Sequence, residues 1–136
     1  MNTQHLSRAL VNQLLEHAQH YPQQEVCGLL GGRAGVPVSC YPIANSAGVP
    51  QRLFTMDPAQ QIAALRSMRE RGETLYAIYH SHPNTPPVPS RTDIEEAAYP
   101  EVVYLIVSLQ TKGVLELRGY RLCEDAVVEI PLEISD

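Results

Sequence analysis

The sequence predicts a mixed α+β fold in which helices flank a β-sheet. Three observations favour this fold: two segments have apolar residues at helical spacing, several short β-prone runs end at turn residues, and helices and strands do not alternate strictly. The chain has 136 residues, of which 44% are hydrophobic. This length and composition suffice for one hydrophobic core, so we expect a single domain over residues 1–136.

The first part of the chain predicts one helix followed by three strands. Apolar side chains recur at helical spacing from Leu6 to Ala18, and Tyr21 and Pro22 end this helix near His20. Turn residues, mostly Gly and Asn, then separate three β-prone runs. The predicted strands span residues 26–30, 36–43 and 52–56.

A second helix is predicted to begin at Asp57 and Pro58, because an acidic capping residue followed by proline is a helix-start signal. It ends before Gly72, and its predicted buried face consists of Ile62, Leu65 and Met68. Four further strands are predicted over residues 75–79, 102–109, 114–123 and 127–132. Pro131 indicates that the last of them lies at a sheet edge.

Charge and composition argue against several classes of function. With 10 Lys and Arg residues against 15 Asp and Glu residues, the net charge is −5, so we expect no nucleic-acid partner. The longest apolar run, residues 102–107, is far shorter than the roughly 20 residues that cross a bilayer, so we expect no membrane association. The chain shows no secretory signal and has three irregularly spaced cysteines, which favours a cytoplasmic location.

The segment His80-Ser81-His82 carries the strongest chemical signal in the sequence. If the preceding strand continues through it, the two imidazoles project from the same face. Asp93 follows after a loop, residues 83–89, that contains four prolines and is therefore stiff. Two imidazoles and a carboxylate match a catalytic zinc site, which takes three protein ligands and leaves a fourth position for water.

Each part of this pattern also has a structural explanation. Two histidines in a strand are often only hydrogen-bonded or exposed residues. Ser90 followed three residues later by Asp93 resembles a capping box at the start of a helix over residues 94–99, which needs no metal. The spacing of all three candidate ligands, with a stiff loop between them, favours the metal site.

A zinc hydrolase also needs a general base near the attacking water. No His-Glu-x-x-His motif supplies one next to the histidines. Glu25, just ahead of an apolar strand bounded by glycine, is the best candidate elsewhere in the chain. The residue type alone also fits a solvated carboxylate at the end of a loop.

Together these residues resemble the signature of the JAMM metallopeptidases, also called the MPN-plus or Mov34/PAD-1 family. The resemblance rests on Glu25, His80-Ser81-His82-Pro83 and Ser90-x-x-Asp93. It implies a curved mixed sheet packed against helices, an MPN/JAB domain with the cytidine-deaminase-like fold. It also implies that His80, His82 and Asp93 bind one zinc ion per chain, that Glu25 is the general acid/base, and that Ser90 is an oxyanion donor.

The resemblance further implies a substrate. Such enzymes cut the peptide or isopeptide bond after the C-terminal Gly-Gly of a ubiquitin-like or sulfur-carrier protein, and this chain resembles the small, stand-alone, prokaryotic type. An alternative is a non-catalytic MPN scaffold that binds a ubiquitin-like partner. Because scaffolds of this kind lack ligands of the motif, the complete set in this chain favours the peptidase.

Overall fold

The computed structural model describes residues 2–123 and 126–136. Its strands are β1 (Gln4–Ser7), β2 (Cys27–Arg33), β3 (Val36–Ile43), β4 (Thr74–His82), β5 (Val103–Ser108), β6 (Glu116–Cys123), β7 (Ala126–Ile130) and β8 (Leu132–Ser135). Its helices are α1 (Arg8–His20), α2 (Pro58–Glu70) and α3 (Arg91–Glu96). In these described residues, none of the helices is both long and apolar enough to cross a lipid bilayer.

Six of these strands form the main sheet, in the order β3-β2-β4-β5-β6-β7. The pair β4 and β5 is parallel, whereas the other neighbouring pairs are antiparallel. The predicted mixed sheet is therefore confirmed. Strand β4 lies inside the sheet, with β2 on one side and β5 on the other, so both of its edges are paired.

Helix α1 covers one face of the sheet. It begins where the Ser7 hydroxyl accepts a hydrogen bond from the Leu10 backbone N–H, which caps the helix. Its buried stripe is formed by Leu10, Val11, Leu14 and Ala18. This stripe joins a core with Leu30, Tyr79 and Leu105 of the sheet. The helix ends at His20, as Tyr21 and Pro22 predict.

Helix α2 covers the opposite face, where it packs against Ile78 and Ile106. The Asp57 carboxylate caps it, as predicted, by accepting a hydrogen bond from the Gln60 N–H. The predicted buried face is wrong at Ile62, which is 59% exposed. Met68 is buried and Leu65 packs against the core, as predicted, and Ala64 takes the place of Ile62, which lies about 200° around the helix from it.

Two predicted strands differ from the structure. Residues 52–56 form no strand, since their only ladder contact is an isolated bridge between Met56 and Asn45. The run over residues 127–132 divides at Pro131 into β7, which does lie at a sheet edge, and β8. Strand β8 pairs in parallel with β1, a strand that the sequence did not predict. Helix α3 also ends at Glu96, earlier than expected, because Ala97 is extended.

Close packing between β2 and β4 requires glycine at position 28. A Cβ added to Gly28 would lie 2.3 Å from Cε2 of Tyr79, whose ring is buried under α1. We expect Gly28→Ala to lower the free energy of unfolding by about 1–3 kcal/mol through overpacking. Urea denaturation would measure it. Gly48→Ala is the control, because a Cβ there meets nothing within 4 Å; equal stability of the two variants would contradict this account.

Candidate functional site

The two histidines of the motif lie at the carboxyl end of β4, which continues to His82, beyond the predicted end at residue 79. His80 and His82 are two residues apart in the strand, so their side chains share one face of the sheet. Both are almost fully buried, with 2% and 4% of their surface exposed. Strand β4 thus places two buried imidazoles side by side at its carboxyl end.

Asp93 meets these imidazoles from helix α3. Its Oδ2 atom lies 3.1 Å from Nε2 of His80 and 3.3 Å from Nε2 of His82, and the two Nε2 atoms are 3.1 Å apart. Four-coordinate zinc with bonds of about 2.0–2.1 Å would separate its ligand atoms by about 3.3–3.4 Å. The three donors therefore converge with nearly the spacing that such an ion requires.

Ser90 holds Asp93 in this position. The Ser90 hydroxyl accepts a hydrogen bond from the Asp93 N–H, while Asp93 Oδ2 accepts one from the Ser90 N–H at 2.8 Å. The capping box that the sequence suggested is therefore present. The capping box is compatible with the metal site, because the ionised carboxylate has further lone pairs besides the one that accepts from the Ser90 N–H.

The loop over residues 83–89 orients His82. Nδ1 of His82 lies 2.8 Å from the Pro86 carbonyl oxygen. A carbonyl only accepts hydrogen bonds, so Nδ1 of the neutral ring carries the proton and Nε2 keeps a free lone pair for a metal. The loop is itself fixed by two hydroxyls that sequence analysis missed: Ser108 donates to the Thr85 carbonyl, and Tyr120 donates to the Pro87 carbonyl.

Packing orients the other histidine. The ring of Phe54 stacks on His80, with 4.6 Å between the centroids and 26° between the planes. Nδ1 of His80 is buried and has no hydrogen-bond partner within the part of the chain that the structure describes. His80 is therefore positioned by Phe54 and by Asp93. Phe54 could not be predicted as part of the site, because nothing near it in the sequence marks one.

The electrostatics of the cluster favour an ionised Asp93 beside the imidazoles. Burial alone would raise the pKa of Asp93, but hydrogen bonds from His80 and His82 outweigh it and hold that pKa far below its usual range. Burial lowers the pKa of His80 despite the opposing effect of Asp93. At His82, burial is outweighed by hydrogen bonds to Asp93 and to the Pro86 carbonyl, so the pKa is raised.

Glu25 is a buried carboxylate rather than a solvated one. It is 6% exposed, and Oε1 has no hydrogen-bond partner among residues 2–123 and 126–136. Burial raises its pKa to about 7, although the positive charge of His82 lowers it, while the negative charge of Asp93 raises it further. Glu25 is thus close enough to the cluster to feel both charges, and it can gain or lose a proton near neutral pH.

Ser81, between the two histidines, anchors the segment that carries Glu25. It is fully buried, and its hydroxyl accepts a hydrogen bond of 2.9 Å from the Val26 N–H. In return, the Ser81 N–H donates to the Val26 carbonyl at 3.0 Å. Strand β4 therefore carries both imidazoles and, through Ser81, also fixes the backbone next to Glu25.

A cleft of about 410 Å³ opens beside His80 and Asp93. Its walls come from residues 53–56, which precede α2, and from the segment between Thr92 and Tyr99. Ile78 and Tyr104 of the sheet also line it. The lining is largely apolar, as is usual for pockets that bind a ligand.

A comparison with protein families identifies the domain. The family described as prokaryotic homologs of the JAB domain matches residues 7–121. The chain belongs to this family. The match confirms the predicted JAMM/MPN relationship and the predicted mixed fold.

Named JAB relatives indicate the chemistry. The CysO-cysteine peptidase of Mycobacterium tuberculosis is 35% identical over 129 residues, which cover 93% of this chain and 88% of the relative. The desampylase of Haloferax volcanii is 36% identical over 102 residues, or 74% of this chain and 73% of the relative. These relatives confirm the prediction that the chain is a hydrolase.

A solved structure supports the fold. A protein from Desulfitobacterium hafniense, known from a solution structure, superposes with a TM-score of 0.86 and is 34% identical. The alignment covers 97% of this chain and 92% of that one. The JAB fold found here therefore extends over nearly the whole chain.

The buried carboxylate should destabilise the metal-free protein above neutral pH. The folded-state pKa of Glu25, about 7, lies above the ordinary value of 4.5, so stability is lost as the pH rises through this interval. We expect metal-free Glu25→Gln at pH 8 to be more stable than the wild type by about 1–3 kcal/mol. Urea unfolding at pH 8 and pH 4.5 would measure the difference, which should shrink at the lower pH.

Glu16→Gln is the matched control, because Glu16 is an exposed carboxylate on α1. Its stability should stay within about 0.5 kcal/mol of the wild type at both pH values. A gain at pH 8 that is the same for Glu16→Gln and Glu25→Gln would show that burial of Glu25 is not the cause.

Proposed function

We propose that this protein is a zinc-dependent peptidase that hydrolyses the bond following the C-terminal Gly-Gly of a ubiquitin-like or sulfur-carrier protein. The observation that carries the proposal is the convergence of His80, His82 and Asp93 within 3.3 Å of one another, near the buried carboxylate of Glu25. The named relatives support the substrate class, since one is a peptidase of CysO-cysteine and another a desampylase.

In this proposal His80, His82 and Asp93 hold the ion. A zinc ion supplies a Lewis acid there, which makes water more acidic and polarises a carbonyl group. The Glu25 carboxylate takes a proton from the attacking water and later gives it to the leaving amine. The Ser90 hydroxyl, which uses its oxygen to cap α3, keeps its hydrogen to donate to the developing oxyanion.

A cysteine nucleophile is not favoured. Cys27 lies beside His80 in the β2–β4 register, but burial raises the pKa of its thiol to about 12. The Cys27 thiol also donates a hydrogen bond to the Ile43 carbonyl. It therefore stays protonated at neutral pH, whereas a cysteine protease needs the thiolate.

The substrate proposal is tested with Gly-Gly-tailed carriers. The zinc-loaded protein is incubated with ubiquitin-fold sulfur carriers that carry one residue after Gly-Gly, and with carriers joined through Gly-Gly to a lysine peptide. We expect intact-mass spectra to show loss of the appended group, leaving a carrier that ends in Gly-Gly. Glu25→Gln should abolish the loss. An unchanged mass for every carrier would contradict the substrate assignment.

Zinc content separates the peptidase from the scaffold alternative. After reconstitution and desalting, we expect about one zinc per wild-type chain and a large loss of zinc in His82→Ala, because three protein ligands are needed. Elemental analysis would measure both. His20→Ala on the exposed end of α1 is the control and should keep the ion. No zinc in the reconstituted wild type would support a scaffold.

Ser90 can be tested apart from the metal. Ser90→Ala should lower kcat by about 10²–10³-fold, the usual cost of one oxyanion donor, while zinc stays bound. Because the substitution also removes the cap of α3, Ser90→Thr serves as the conservative variant that keeps a hydroxyl. Equal kcat values for Ser90→Ala and the wild type would contradict the assignment.

A further inference from the structure

The side chain of Asn45, outside the sequence motif, uses all of its hydrogen-bonding capacity. Its Nδ2 donates to the carbonyls of Glu25 and Leu53, both at 2.9 Å. Its Oδ1 accepts from the N–H groups of Ala47 and Thr55, both at 3.0 Å. An amide offers two donors and two acceptor lone pairs, so no position is left unused. Because two carbonyls lie next to one end of the amide and two N–H groups next to the other, the positions of Nδ2 and Oδ1 are unambiguous.

The backbone of Glu25 depends on these contacts because it lies ahead of β2 and outside the sheet ladder. Its N–H donates to the Pro50 carbonyl at 2.7 Å, and its carbonyl accepts from Asn45. Both partners belong to the loop over residues 44–57. On the other side, the next N–H, that of Val26, is held by Ser81. Glu25 is therefore clamped between this loop and β4.

The same amide also holds the wall of the cleft. Leu53 and Thr55, its other partners, flank Phe54, the residue that stacks on His80. This is the segment for which the sequence predicts a strand, yet it has only the isolated bridge at Met56. There the Asn45 side chain adds to the hydrogen bonds that the Ser46 N–H and hydroxyl donate to the Thr55 carbonyl.

We infer that Asn45 is a positioning residue, which fixes the distance between the general acid/base Glu25 and the Phe54–His80 side of the site. This inference rests on the proposed function. One rigid amide joins both segments, so a shift of either is passed to the other. A misplacement of about 1 Å in a reacting group can cost about 10²-fold in rate. The four side-chain hydrogen bonds of Asn45 all go to residues outside β4 and α3, the elements that carry the ligands.

The decisive variant is Asn45→Asp, which has the same shape. It keeps the acceptor for Ala47 and Thr55, but it turns an oxygen towards the carbonyls of Glu25 and Leu53, where a donor is needed. Asn45→Ala removes all four side-chain hydrogen bonds without adding a charge. Asn12→Asp is the matched control, since Asn12 is exposed on α1.

Two readouts are measured, namely steady-state kinetics on a cleavable carrier and amide hydrogen exchange by mass spectrometry. We expect both Asn45 variants to lower kcat on the order of 10²-fold with little change in KM. The lost hydrogen bonds should lower the thermal midpoint, but both variants should stay folded at the assay temperature and keep the zinc content of Asn12→Asp. Exchange should become faster in peptides covering residues 24–26 and 52–56 together.

Two results would overturn the inference. One is unchanged amide hydrogen exchange at residues 24–26 in both variants, which would show that Asn45 stabilises only the loop that contains it. The other is a fall in kcat that merely follows a loss of zinc or of folded protein. A wild type that cleaves no carrier would contradict the proposed function instead, and the exchange measurement would still decide the role of Asn45.

Discussion

Three consecutive polar residues are buried at the carboxyl end of a central strand, and the groups that bond all of their side-chain polar atoms except Nδ1 of His80 surround the site. His80, Ser81 and His82 lie in β4 with at most 4% of their surface exposed. Buried polar groups are costly unless they are hydrogen-bonded. The Ser81 hydroxyl accepts a hydrogen bond from the backbone ahead of β2, and Nδ1 of His82 donates to the Pro86 carbonyl. Both imidazoles contact the Asp93 carboxylate. Each of these partners is also part of the candidate active site.

Much of the ligand set could be predicted because it is local in sequence. His80, His82 and Asp93 fall within fourteen residues, and the period of a strand and the cap of a helix then decide where the side chains point. The central strands and the first two helices were predictable for the same reason, since their patterns repeat over short distances.

The contacts that hold the site in place could not be predicted in this way. Phe54, Ser108 and Tyr120 lie far in sequence from the groups that they fix, and a lone Phe, Ser or Tyr carries no local signal. Residues 52–56 are β-prone but form only an isolated bridge, and the Asn45 side chain adds hydrogen bonds to Leu53 and Thr55. Tertiary contacts overrode the local preference there.

Helix α3 has a further consequence for ion binding. Six residues are too few for a helix to persist in water by itself, and its capping carboxylate is also the candidate ligand Asp93. If Asp93 binds an ion as proposed, ordering of this short segment and binding of the ion would be thermodynamically linked, and the affinity would include any entropy lost when the segment folds. Evolution could tune how tightly the ion is held by altering the intrinsic helicity of residues 91–96, with every coordinating atom left in place.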